Sequence, residues 1–127
     1  MELVAIVIAL ALLEFVAFGI LVGRARGRYG VNAPATGGHE IFDRYFRVHY
    51  NTMELLVVFV PSIWLFGLYV SPSWGAAIGA VYLVARIIYF RSYVADPAKR
   101  EFGFGLSVLP ILVLLIGALV GAVRVLM

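Results

Sequence analysis

Residues 46–56 read FRVHYNTMELL and run directly into VVFVPSIWLFGLYV, so Arg47, His49, Asn51 and Glu54 crowd the entrance to a strongly apolar segment. Arg47, Asn51 and Glu54 are spaced i, i+4 and i+7, which lines them along one helical face. A charge held in lipid at mid-span costs about 2.5–3.5 kcal/mol or more, so such residues turn toward protein or a polar cavity. Together the three suit a polar ligand carrying both charge signs: Arg47 for a carboxylate, Glu54 for an ammonium, Asn51 for an amide. A purely structural role, with Arg47 and Glu54 pairing across helices to hold a bundle together, is the competing reading.

A second polar set follows in ARIIYFRSYVADPAKR, where Arg86, Tyr89 and Tyr93 fall at i, i+3 and i+7. Arg100 comes seven residues after Tyr93, two turns further on the same face if the helix passes Pro97. Tyrosines near a membrane boundary ordinarily form an aromatic belt. Two tyrosines aligned with two arginines fit an anion site better. His39 and His49 with Glu40 or Glu54 lack the tight spacing of metal ligands, so no metal is expected. With no cysteine in the chain, a protein thiolate, a disulfide and a cysteine metal site are all excluded. Glu14 is an intramembrane carboxylate expected to pair with an arginine of a neighbouring helix or to sit neutral, with no catalytic role.

These residues need elements to hold them. A chain of 127 residues suits one domain, 1–127. Its hydrophobic fraction of 64% and mean hydropathy of +1.03 lie far above the roughly 45–50% apolar usage of soluble domains. So small a globule has no interior able to hide that much apolar surface, and a bilayer must be the solvent. Four segments reach the roughly 20 apolar residues that a spanning helix needs: Leu3–Gly23, Phe46–Val70, Gly75–Tyr93 and Phe104–Met127. The expected architecture is all-α, an integral membrane four-helix bundle. The first segment has no basic n-region and exceeds an h-region in length, so it reads as a retained span rather than a signal peptide.

A polar loop, RARGRYGVNAPATGGHEIFDR, follows the first span. SPSWG joins the second span to the third as a hairpin, and VADPAKREFG joins the third to the fourth, with Pro97 as a breaker or a new start. Nine of the ten basic residues surround the first and third connections: Arg24, Arg26, Arg28, Arg44, Arg47, Arg86, Arg91, Lys99 and Arg100. Only Arg124 lies near the other side. The positive-inside rule puts the two basic connections in the cytoplasm and both termini outside. The net charge of +3 therefore reports topology rather than nucleic-acid binding. Gly19/Gly23, Gly75/Gly79 and Gly117/Gly121 have the spacing of close helix contacts in lipid.

RVHYNTME resembles the R-x-(H/Q)-x-N-x-x-E signature of the MAPEG family, the membrane-associated proteins in eicosanoid and glutathione metabolism. VGRARGRYGVNAPATGG, FDRYFRVHYN and VYLVARIIYFRSY are similar to that family's first loop, second-helix entry and third helix, in the same order over nearly the whole chain. The nearest likeness is to microsomal-type glutathione transferases and their bacterial relatives. The resemblance implies a homotrimer of four-helix subunits, with glutathione as cosubstrate bound between neighbouring subunits near the cytoplasmic face. It implies that Arg47, Asn51, Glu54, Arg86, Tyr89, Tyr93 and Arg100 contact glutathione, that Arg26 and His49 contact it from the adjoining subunit, and that Arg100 stabilises its thiolate. Glutathione has two carboxylates, one ammonium and two amides, which is the mixture that the opening stretch would satisfy.

The implied activity is a membrane glutathione transferase or peroxidase, with the thiolate attacking a lipophilic electrophile or a lipid hydroperoxide from the bilayer. Two departures argue against leukotriene synthesis. Leu55 stands where leukotriene-forming members have a tyrosine, and Gly27 follows Arg26 where they have a second arginine. The alternatives are a non-enzymatic lipid-binding MAPEG-like protein, which the retained Arg47, Asn51, Glu54, Tyr93 and Arg100 disfavour, and a transporter subunit, which would need broken-helix pairs. The compact length and the lack of a retention signal lean toward a bacterial inner membrane, with the endoplasmic reticulum as the other setting.

Overall fold

The computed structural model describes residues 1–127 and contains four long helices. They are α1 (Glu2–Tyr29), α2 (Glu40–Tyr69), α3 (Pro72–Ala95) and α4 (Arg100–Leu126), with one 3-10 turn at Pro97–Lys99 before α4. All four helical segments are long and apolar enough to cross a membrane. The chain is a multi-pass integral membrane protein. At 1.5 Å per residue, helices of 24–30 residues measure about 36–45 Å, more than the roughly 30 Å hydrocarbon core. They therefore extend past the apolar windows: α1 continues to Tyr29 rather than Gly23, α2 begins at Glu40, and α4 begins at Arg100 rather than Phe104.

Local chemistry sets the ends. Gly30 closes α1 in the left-handed conformation, φ 70°, and its N–H donates to the Arg26 carbonyl. His39 caps α2, its Nδ1 accepting from the Ile41 N–H at 3.1 Å while its ring stacks on Tyr29. Ser71 caps α3 through the Trp74 N–H, with Pro72 at the first helical position. Asp96 ends α3 and caps the 3-10 turn through the Ala98 N–H, so Pro97 starts a new element.

α2 and α3 each pack against all three other helices, and α1 and α4 flank them. Val4, Phe59, Ile63, Tyr82 and Leu114 lie at the centre, with Phe59 and Tyr82 stacked at 3.9 Å. Large apolar residues such as Leu13, Val57 and Leu119 point outward, while Thr52, Ser62, Arg86 and Ser107 are buried. This is the reverse of a water-soluble domain and suits a bilayer. Thr52 and Ser107 satisfy their hydroxyls on the carbonyls of Val48 and Gly103, four residues earlier. Of the small-residue pairs, Gly79, Gly117 and Gly121 sit where a Cβ would collide with a neighbouring helix, whereas Gly23 faces open space.

Arg44, legible in the sequence only as a topological charge, fastens two helices. Its Nη1 donates to the Val94 and Ala95 carbonyls at 2.9 and 3.3 Å, and its Nη2 to Glu40 Oε1 at 2.9 Å. It thereby supplies donors and positive charge to the C-terminus of α3. Arg44→Met keeps the aliphatic stem and is expected to lower stability by about 1–2 kcal/mol in detergent thermal unfolding, with Arg44→Lys recovering part. An unchanged midpoint for Arg44→Met would show that water replaces these bonds at no loss.

Candidate functional site

The polar residues of α2, α3 and α4 meet at the basic end of the bundle. Arg47 and Asn51 from α2, Tyr89 and Tyr93 from α3, and Arg100, Glu101 and Phe104 from α4 line an open groove of about 380 Å³. That volume lies within the range of small-molecule sites, roughly 300–1,000 Å³. The i, i+4 spacing of each pair puts both side chains of a helix on the same wall. The Tyr89 and Tyr93 ring centroids are 5.6 Å apart, and the Phe104 ring lies 6.2 Å from that of Tyr89. The Tyr89 phenol stands in the field of three guanidiniums, those of Arg86, Arg100 and Arg47.

Arg100 reaches the groove by a different route from the one its spacing predicts. α3 does not run on past Pro97. The chain reverses through the 3-10 turn, and Arg100 enters as the first residue of α4, its Nη1 donating to the Pro97 carbonyl at 3.0 Å. The reversal works because α4 lies directly against α3 at Gly103, where a Cβ would stand 2.6 Å from the Tyr89 Cα. Glu101 and Phe104 are not among the site residues that the sequence points to. They follow once α4 starts at Arg100, since Phe104 is then one turn along on the same face.

Arg86 is placed differently from the contact role that the resemblance implied. It is 0% exposed and lies behind the groove wall. Its Nη2 donates to Asn51 Oδ1 at 2.8 Å and to Thr52 Oγ1 at 3.0 Å, and its guanidinium carbon sits 4.3 Å from the centre of the Tyr89 ring. It is also an interior charge rather than one of the boundary charges that report topology, being nine residues before the end of α3. Glu14 on α1 lies in its electrostatic field without a direct ion pair, and Glu14 Oε1 is buried without a protein hydrogen-bond partner.

The remaining expected residues lie outside this groove in the same chain. Glu54 is exposed on α2 beyond Asn51. Arg26 donates from Nη1 to the Ala35 carbonyl at 2.6 Å and lies over the Phe42 ring. His49 is half-buried on the α1 side of α2, stacked on Phe15 at 4.4 Å and against Gly19. His39 is used as a helix cap, and no three of the chain's histidine, aspartate and glutamate side chains converge as metal ligands.

The MAPEG family pattern matches residues 3–120, nearly the whole chain. The chain belongs to the MAPEG family. An uncharacterised protein of the cyanobacterium Synechocystis is similar to this MAPEG chain at 46% identity, over 91% of the chain and 84% of the relative. Microsomal glutathione S-transferase 2 of Bos taurus is 37% identical over 86% of this chain and 73% of its own length. Leukotriene C4 synthase of Rattus norvegicus is 33% identical over 77% and 65% respectively. The MAPEG likeness therefore covers all four helices, including every residue that lines the groove.

Proposed function

We propose that the chain is a membrane-embedded glutathione transferase that holds glutathione in the groove between α2, α3 and α4. The observation that carries this reading is the convergence of Arg47, Asn51, Tyr89, Tyr93 and Arg100 from three helices on one groove at the basic end of the bundle. The Arg47 guanidinium suits a carboxylate of the tripeptide, which leaves the Arg100 guanidinium for the sulfur. Glu101 in the wall and Glu54 beside it on α2 are the carboxylates available to its ammonium. Membership of a family with relatives named as glutathione S-transferases supports the choice of ligand.

Arg100 is the group we assign to the sulfur. A free thiol has a pKa near 8.5, and its thiolate is the nucleophile. A guanidinium at hydrogen-bond distance favours the anion, more strongly where the surroundings are poor in water. The thiolate then forms a thioether with a lipophilic electrophile from the bilayer as the electrophile's leaving group departs. With a lipid hydroperoxide it attacks the terminal oxygen, breaking the O–O bond and releasing the alcohol, and a second glutathione converts the sulfenic acid to the disulfide. No cysteine of the chain takes part, because the nucleophile belongs to the cosubstrate.

A trimer completes the assignment. Arg26 and His49 lie away from the groove of their own chain, so a contact from them to glutathione needs a neighbouring copy. Saturating the purified protein with glutathione at neutral pH is expected to produce the ultraviolet absorbance of a bound thiolate, discharged by adding a lipophilic electrophile. Absence of that band would sink the transferase reading and favour a lipid-binding role without chemistry.

A further inference from the structure

We propose that Arg86 is a positioning residue that locks the Asn51 amide with its NH2 toward the groove, so that the ligand group opposite Asn51 must be a hydrogen-bond acceptor. The proposal rests on the glutathione reading and deepens it. The acceptor would be a carboxylate or peptide carbonyl oxygen of the tripeptide, not its ammonium or an amide N–H.

The constraint comes from donor and acceptor inventories. A guanidinium has five N–H donors and no acceptor. Arg86 Nη2 lies 2.8 Å from the Asn51 side chain and 3.0 Å from Thr52 Oγ1. The Thr52 proton is committed to the Val48 carbonyl at 2.8 Å, so Thr52 offers Arg86 only lone pairs. Turning the Asn51 amide over would set its NH2 against a donor-only guanidinium. It would lose a charge-assisted bond in a water-poor interior, disfavouring the flipped form by roughly tenfold or more. Asn51 is half-buried and lines the groove, so its Nδ2 is left facing the ligand.

Arg86 is itself held firmly. It is fully buried, its Nη2 bridges Asn51 and Thr52, and its guanidinium lies against the Tyr89 ring, while its Nε and Nη1 have no protein hydrogen-bond partner. Arg86 orients Asn51, and Asn51 meets the ligand.

The order of two substitutions tests the idea. Asn51→Asp still offers Arg86 an oxygen, so the interior bond survives, but the groove then faces a negative acceptor. Asn51→Ala removes the donor and adds no repulsion. Glutathione Kd, read by ultraviolet titration of the thiolate, is expected to rise about tenfold in Asn51→Ala and several-fold further in Asn51→Asp. Arg86→Met should raise Kd and KM by about five- to tenfold with a smaller change in kcat, and Arg86→Lys, again donor-only, should recover most of it. The double variant Arg86→Met with Asn51→Ala should bind no more than about twofold worse than Asn51→Ala alone.

Asn51→Asp binding as well as Asn51→Ala, or better, would overturn the proposal, and so would multiplicative effects in the double variant. If Arg86→Met fails to fold, the aspartate and alanine pair still decides, since both keep Arg86. A parent protein with no affinity for glutathione would remove the transferase reading, and this proposal with it. A parent that binds but shows the reversed order would remove this proposal alone.

Discussion

Arg100→Ala is expected to leave glutathione affinity within several-fold of the parent while cutting turnover at pH 7 by roughly ten- to a hundredfold. The estimate follows from one charge-assisted hydrogen bond to the sulfur, about 1.5–3 kcal/mol, which is roughly one to two pKa units. The sign is fixed by which form the cation favours. A guanidinium favours the thiolate and so lowers the bound thiol's pKa, and its removal raises it. Below the new pKa the thiolate fraction falls tenfold per unit, so activity is lost at neutral pH and returns as the pH rises. Arg100→Lys should recover part of the effect, because the charge returns without the planar fork. Ultraviolet titration of bound glutathione reads the shift directly. Arg47→Ala should behave differently, raising KM more than it lowers kcat, since a contact to the tripeptide's end is present in ground and transition states alike. Equal thiol pKa in the parent and Arg100→Ala would assign activation elsewhere, with Tyr93 and Arg26 the next candidates.

The division of labour in the groove was only partly legible from spacing. Helical periodicity put Arg47 and Asn51 on one face, and the same rule aligned Tyr89 with Tyr93; both pairs line the groove. Periodicity says which residues share a face and nothing about what that face meets. Arg86 shows the difference. It is one turn before Tyr89 on α3, yet it is fully buried and its Nη2 donates to two residues of α2. Its partners lie 34 and 35 residues earlier, and no local pattern reports such a contact. Glu14 was recognisable as a charge needing a partner, but which arginine faces it depends on how α1 packs.

Hydropathy windows located every span and misplaced the ends, because they measure what lipid accepts rather than where helical hydrogen bonding stops. The error mattered at one place. With α4 starting at Phe104, Arg100 and Glu101 belong to a loop; with α4 starting at Arg100, they are first-turn residues on a rigid element, aimed at the groove. The capping chemistry of Asp96 and Pro97 held that information, since an Asx cap followed by proline opens a new helical turn more readily than it prolongs an old one. Gly103 escaped notice for a similar reason. It forms its small-residue pair with Ser107, not with another glycine, and both are buried.

Gly103 carries the second large expectation. A Cβ added there would lie 2.6 Å from the Tyr89 Cα and 2.8 Å from the Tyr89 N, both backbone atoms that no rotamer change can move. α3 and α4 must therefore separate to admit even one methyl group. Overpacking of this kind costs about 1–3 kcal/mol, against a helix-propensity gain of up to about 1 kcal/mol for replacing glycine with alanine. Gly103→Ala should accordingly unfold at a lower temperature in detergent, and Gly103→Leu more severely. The site should suffer beyond the loss of stability, because Arg100 lies one turn before Gly103 and Phe104 directly after it. Displacing α4 moves Arg100, the proposed thiol-activating cation, away from Tyr89 and Tyr93. Gly103→Ala is thus expected to lower kcat even at temperatures where it is fully folded. Gly105 on the same helix provides the comparison, since no atom lies within 4 Å of a Cβ built there. Gly105→Ala should match the parent in activity and equal or exceed it in stability, by up to about 1 kcal/mol from helix propensity. If Gly103→Ala instead behaves like Gly105→Ala in both assays, the close seam between α3 and α4 is not what holds Arg100 in place.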